Sequence, residues 1–457
     1  MTPPKNSKIA VIGGGLAGLS AACALVDAGM SVTLFERRPY LGGRASSYEH
    51  PGTNETVDNC QHVLLGCCTN LIDFYRRLGV GEKIQWFDVL NFIEPGGRLS
   101  RLGPSFLPAP FHSTPSFMRA KFLSIGDKDA IARGLLALMP GLPAETPETF
   151  LSWLERHGQT PRAIQRFWEP VLVSALNESL DRMSVHYAAQ VFRESFLKSA
   201  AAGRMGVPSV PLSELYGVAG DYIRKRGGGV LLRSSIEALQ SAVEGVQLTV
   251  SGKIIAFDYA VSAVPFDGVA KLLANQAPDG LPEKLQRFET SPITGIHFWF
   301  DRKVTDLPHA VLLDRTIQWM FNKSRLQEKQ DAGSYLELVV SSSKTLVERS
   351  KQEILDLALA ELQEFFPAIA DATVLKSTVI KEIKATYSAL PMSDAYRPQA
   401  ATAWPRFFLA GDWTATGWPA TMEGAVRSGY GAADALLGSH SNLKADLPAS
   451  GLMRIFG

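Results

Sequence analysis

Apolar and polar positions change period several times along this chain, and the changes outline its elements. Lys8-Ile9-Ala10-Val11-Ile12 is a short apolar run of the kind that makes a buried strand, Leu16 to Ala28 is an alanine-rich helix, and Ser31 to Glu36 is a second, β-branched strand. Strand, helix and strand in that order predict a right-handed βαβ unit. From Asn91 to about Pro211 prolines and aromatics crowd Leu102 to Phe122, and amphipathic helices are predicted around Ile131 to Met139 and Phe150 to His157. Strand-like alternation returns at Val230 to Pro265 and Thr294 to Phe300. A helix follows at Gln352 to Phe366, then a strand at Phe407 to Ala410 and a long small-residue helix at Thr421 to Leu437. A unit that begins at residue 8 and finishes near residue 437 must be assembled from separated segments. We assign 1–90, 212–285 and 395–438 to an α/β, Rossmann-like domain, 91–211 and 286–394 to an inserted α+β domain, and 439–457 to a tail with an apolar end, Leu452 to Phe456.

The chain has 457 residues, more than one hydrophobic core usually supports, in keeping with two domains. Lys plus Arg (46) nearly balances Asp plus Glu (45), so no overall field favours nucleic acid as a partner. Four cysteines, Cys23, Cys60, Cys67 and Cys68, include an adjacent pair unsuited to clamping a metal or framing disulfides; reduced thiols and no metal site are expected. Lys5 and Lys8 ahead of an apolar stretch ending Ala22-Cys23-Ala24 imitate a secretory signal, but cleavage there would destroy the glycine motif described next. We therefore expect a cytoplasmic protein, or one held peripherally on the inner face of a membrane.

Gly13-Gly14-Gly15-Leu16-Ala17-Gly18 satisfies G-x-G-x-x-G between a strand and a helix. Gly13 permits the tight turn, Gly15 lets backbone approach a pyrophosphate, and Gly18 lets helix pack on strand, while the helix start at Leu16 and Ala17 offers free N–H groups and positive potential. Glu36, at the end of the second strand, can accept both ribose hydroxyls of an adenosine. After Arg37, the run to Gly42-Gly43-Arg44 suits a second backbone approach to the same pyrophosphate, with Arg44 pairing to phosphate or flavin. Gly411-Asp412 can place a carboxylate on a ribityl chain. The helix beginning near Thr421-Met422 can aim its N–H groups at a flavin pyrimidine, where they would stabilise the charge of the reduced ring. The first motif alone allows NAD or FAD; the later two tilt the choice to FAD.

These residues resemble the flavin-containing amine oxidase and phytoene desaturase superfamily across nearly the whole chain. The resemblance is nearest to its branch of hydroxysqualene dehydroxylases, also called squalene-associated FAD-dependent desaturases. Besides the motifs above it rests on Asp58 to Cys67, on Asp301 to Trp319, and on Leu409 to Thr414 continuing through Pro419 to Gly429. It implies an amine-oxidase or GDI-like two-domain flavoprotein in which extended FAD faces a hydrophobic cavity of the inserted domain. Backbone near Ile236 would then contact the adenine side, Asp412 the ribityl chain and Met422 the flavin ring. The branch usually has glycine where this chain has Cys60.

The implied reaction is reductive dehydroxylation of hydroxysqualene to squalene, in squalene and hopanoid synthesis, with hydride from flavin N5. His62 is the candidate proton donor and Trp418 a candidate aromatic face for an allylic cation. Trp299, Trp319 and Phe321 are candidate substrate contacts, and Leu102 to Phe122 can lie on a lipid surface and admit the isoprenoid. Rivals are an oxidative carotenoid-type desaturase, an amine oxidase, and a non-catalytic prenyl-binding protein. The reductant of the flavin is not legible.

Overall fold

In the computed structural model the described residues are 3–273, 276–328 and 333–456, so positions 1, 2, 274, 275, 329–332 and 457 of the ranges assigned above lie outside them. Strand Lys8–Ile12 forms because its apolar side chains must leave water on both faces of a sheet; Ile9, Ala10 and Val11 are fully buried. It pairs in parallel with Ser31–Phe35 on one side and Tyr259–Ser262 on the other. Gly229–Leu231 and Phe407–Leu409 add to the two outer edges, also in parallel, giving five strands drawn from four distant parts of the chain.

Helix Leu16–Asp27 covers this sheet and is itself covered by helix Met422–Leu437. Their contact is set by Gly429, where a Cβ would fall 2.2 Å from the carbonyl oxygen of Ala17 and 2.1 Å from Ser20 Oγ. The small-residue character of the last helix is therefore a packing requirement: a side chain at 429 would push it off the sheet's first helix.

A three-stranded antiparallel sheet, residues 236–257, flanks the parallel one. The second body is built on a seven-stranded, mostly antiparallel sheet whose strand order runs Val374–Tyr387, Thr290–Phe300, Ser334–Ser341, Trp319–Asn322, His309–Leu312, Leu90–Ile93, Leu99–Leu102. Helices between Thr114 and Leu197 pack around Phe122, Phe150, Trp168 and Tyr187, so several of the crowded aromatics are core. Phe106 and Phe111 instead point into solvent.

The helix expected at Ile131 starts earlier, at Ile125. Ser124 accepts from the Asp127 N–H while Asp127 accepts from the Ser124 N–H, a reciprocal cap that fixes the start a turn and a half before the apolar period becomes visible.

Candidate active site

The glycine turn is held from three sides. Gly13 takes a φ of 107°, and a Cβ on Gly18 would lie 1.9 Å from the Gly13 carbonyl oxygen, so both must be glycine for turn and helix to meet. The Glu36 carboxylate is buried and accepts from the N–H of Gly14 and of Arg38, both at 2.7 Å. The second glycine pair docks on the first: Gly42 N–H donates to the Gly14 carbonyl at 2.9 Å, and a Cβ on Gly43 would sit 2.9 Å from Gly15 Cα. Gly15 is the exception, since its Cβ would meet no protein atom nearer than 3.8 Å. Bare backbone with open space at the start of a helix is what a phosphate-bearing ligand needs, so these residues fit a dinucleotide.

A cavity of about 1000 Å³ starts here and runs through both bodies of the fold. Along it lie Gly13, Gly15, Leu16, Ala17, Glu36, Arg37, Gly42, Gly43, Arg44 and Ile236, then Gly411, Asp412, Thr421 and Met422, then His62, Trp418, Trp319 and Phe321. The fold thus gathers along one cavity residues separated by up to 409 positions. Gly18 acts from behind, by packing. Trp299 is placed elsewhere: it does not line the cavity but stacks on Tyr335, ring centroids 4.4 Å apart, because an even offset along its strand carries it to the face shared with His297.

Arg44 is engaged by protein. Its guanidinium donates to Asp412 Oδ1 and to the Ala385 carbonyl, each at 2.7 Å, which joins the two motifs expected to grip opposite parts of the cofactor. Asp412 is fixed further by its own backbone, since the buried Arg397 guanidinium donates to the carbonyls of Asp412 and Trp418 at 3.0 and 2.7 Å. Thr421 caps the last helix by accepting from the Gly424 N–H, and Tyr216 donates to Met422 Sδ at 3.4 Å. Glu423, buried in the same turn, accepts from the N–H groups of Asn70 and Leu71 and from Arg427 Nε. The Arg427 guanidinium in turn lies 4.6 Å from the Trp418 ring centroid, so one face of this indole already holds a cation.

His62 has a defined tautomer. Its Nδ1 lies 2.7 Å from the Cys60 carbonyl oxygen, which can only accept, so Nδ1 carries the proton and Nε2 is bare. Burial lowers the pKa of the ring, outweighing the hydrogen bond to Cys60, and at neutral pH His62 is a base. The expected proton donor is therefore placed at the cavity in the opposite protonation state, because a sequence does not show which backbone oxygen fixes an imidazole.

Behind Cys60 and Gln61 lies a buried charge cluster that sequence reasoning missed. Lys323 Nζ is 2.6 Å from Asp58 Oδ2, 2.8 Å from Gln61 Oε1 and 3.4 Å from Glu337 Oε2, with all three charged side chains at most 3% exposed. Burial alone would raise the Asp58 pKa, but Lys323 and the donors Ser47 Oγ and Leu212 N–H hold it below its usual range. For Glu337 burial first and Asp58 second prevail over the pull of Lys323 and the weaker help of the Gln61 N–H, and push it up to about 8. At neutral pH the cluster is one cation, one anion and one protonated acid. Lysine, aspartate and glutamate scattered over 279 positions carry no spacing signal; pairing of strand Ser334–Ser341 beside Trp319–Asn322 brings Lys323 to Glu337, and Asp58 reaches them from the separate hairpin Ser47–Asp58.

A glycine-turn dinucleotide site continuous with an apolar chamber, on this pair of sheets, is the arrangement of a two-domain flavin-dependent oxidoreductase. The family model "Flavin containing amine oxidoreductase" matches residues 16–437, and the chain belongs to that family; its cofactor is FAD. It is 29% identical to a 15-cis-phytoene desaturase of Synechococcus elongatus over 96% of this chain and 97% of that one. It is 30% identical to the chloroplastic/chromoplastic 15-cis-phytoene desaturase of Narcissus pseudonarcissus (93% and 79% covered), and 25% identical to a zeta-carotene desaturase of Synechocystis (97% and 100%). Among solved structures, an oxidoreductase from Methanosarcina mazei has a TM-score of 0.72 at 16% identity (92% and 98% covered), and cyclohexylamine oxidase from Brevibacterium oxydans 0.70 at 16% (95% and 99%). The superfamily expected from the motifs is thus the family found. The phytoene and zeta-carotene desaturases among them are named for desaturation and not for dehydroxylation.

Proposed function

We propose that this enzyme exchanges a hydride with a linear polyisoprenoid. The observation that carries the reading is the chamber beyond His62, whose walls include Leu90, Phe92, Val171, Val191, Trp319 and Phe321 and which is continuous with the dinucleotide turn. A carboxylate that could hold an amine there, Glu194, is already paired with Lys198 at 2.8 Å. Trp319 is held by donating to Ser174 Oγ at 2.7 Å and stacks on Phe321, giving a rigid apolar wall. Bound flavin supplies hydride exchange at its N5.

Desaturation, as named for the relatives, is the direction we favour. A hydride leaves one carbon of the chain, the proton of the neighbouring carbon passes to bare Nε2 of His62, and the electron pair left behind closes the new double bond. Reductive dehydroxylation is the second reading, favoured by the stretches Asp58 to Cys67 and Leu409 to Gly429 that resemble that branch. There a hydride is added and hydroxide leaves as water, so Nε2 must first be protonated and the rate should rise as pH falls. The test pairs two anaerobic incubations: oxidised enzyme with phytoene, and dithionite-reduced enzyme with hydroxysqualene. Flavin bleaching with a product two hydrogens lighter supports desaturation, and squalene formation supports dehydroxylation. Neither product, together with bleaching by a primary amine, overturns the polyisoprenoid reading.

A further inference from the structure

The loop that carries His62 has little backbone support of its own. Asn59 N–H donates to the Ser46 carbonyl at 2.9 Å, and ladder pairing resumes at Leu64 and Leu65, opposite Gly206 and Met205. Between those ends no N–H or carbonyl of residues 60–62 forms a backbone–backbone hydrogen bond among the described residues. A segment whose main chain is held so loosely takes its conformation from its side chains. Cys60 joins an apolar cluster with Phe321 and Val339, and Gln61 reaches inward to the buried charges.

The orientation of the Gln61 amide is fixed by its partners. Lys323 Nζ can only donate, so the atom 2.8 Å from it is Oε1; the His62 carbonyl can only accept, so the atom 3.0 Å from it is Nε2. The side chain therefore spans from the buried ammonium to the main chain of His62, while the Gln61 N–H faces Glu337. His62 closes the loop from the other side through Nδ1 and the Cys60 carbonyl. Lys323 also holds Asp58, where the loop begins, and it follows strand Trp319–Asn322, whose Trp319 and Phe321 line the chamber. One lysine is thus tied both to the wall that would meet the substrate and to the residue beside the imidazole.

We infer that Gln61 is a positioning residue for His62: it carries the anchorage of Lys323 to the His62 carbonyl and so sets where the bare Nε2 stands in the chamber. Its part in turnover rests on the reading of His62 as the base. A displacement of about 1 Å can cost on the order of 10²-fold in rate, so Gln61→Met, which keeps the volume and loses both side-chain bonds, should lower kcat for the polyisoprenoid about 10–100-fold, with KM within about twofold and flavin content unchanged. Because Gln61 acts through the imidazole, the same change placed in a His62→Gln background should cost no further rate. A second readout needs no turnover. By nitrogen NMR of holoenzyme with isotope-labelled histidine, assigned by difference from His62→Gln, the parent should show His62 as a single Nδ1-protonated ring and Gln61→Met a mixture of tautomers. The inference is overturned if the tautomer is unchanged in Gln61→Met, or if the kcat of that variant stays within about twofold of the parent's while His62→Gln is impaired. It is equally overturned if the loss is as large in the His62→Gln background, which is the mark of a merely structural role, or if the loss falls on KM, which would make Gln61 a substrate contact. A changed tautomer together with full activity of His62→Gln would leave the positioning standing and sink the base reading instead.

Discussion

Replacing Lys323 by Met tests whether the buried cluster behind Cys60 and Gln61 is an electrostatic unit. The ammonium is 1% exposed and is the only cation within 4 Å of Asp58 among the described residues. Met fills a similar volume but leaves Asp58 buried with only Ser47 and Leu212 as donors. Breaking one side of a buried pair costs about 3–5 kcal/mol. With an unfolding entropy of ~2.1 cal/mol/K per residue, the 457-residue chain loses ~1 °C in Tm per kcal/mol, so a drop of about 3–5 °C is expected in thermal unfolding of the holoenzyme. Without its partner Asp58 should take up a proton, raising its folded pKa above the unfolded value of ~3.9. The folded state then binds more protons than the unfolded one, stability falls as pH rises through that window, and the deficit should be smaller at pH ~5 than at pH ~8. Lys323→Met with Asp58→Asn should recover most of the loss. A single variant within 1 °C of the parent, or a double variant no more stable than the single, refutes the reasoning.

Glu337→Gln removes a carboxyl whose folded pKa, about 8, lies above its unfolded value; the parent's stability cost grows from pH ~4.5 to ~8, so the variant's Tm should gain on the parent across that window and track it in parallel outside. Gly15→Val should cut FAD affinity at least a hundredfold, read by flavin fluorescence titration, while the apoprotein keeps its Tm within about 2 °C, since a Cβ there meets protein no closer than 3.8 Å. Gly18→Val, with its Cβ 1.9 Å from the Gly13 oxygen, should not accumulate as folded protein; equal yields of both variants would contradict the placement. His62→Gln should lower kcat for desaturation about 10²–10⁴-fold with the flavin spectrum intact, and the parent's rate should rise with pH to a plateau whose midpoint lies below ~6.5; an unchanged kcat removes His62 from the reaction.

The motifs legible in the sequence are those in which backbone does the chemistry. Gly13 to Gly18, Gly42-Gly43 and the helix after Thr421 announce themselves because a tight turn or a helix start needs particular residues at fixed local spacing. Side chains acting on one another across the fold left no such trace. Arg397, Lys323 and Glu337 are single residues whose partners come from other segments, and a Trp at 299 reads no differently from a Trp at 319 although only the latter reaches the cavity.

The sequence by itself determined the dinucleotide unit, the return of the chain to that unit near its end, and the aromatic content of the inserted body, since each follows from local period and backbone requirements. Only the tertiary structure decided which strands pair and, with them, the neutral buried cluster, and only it supplied the burial that keeps His62 neutral. Burial and proximity set those properties, and in the cluster they are made by residues hundreds of positions apart.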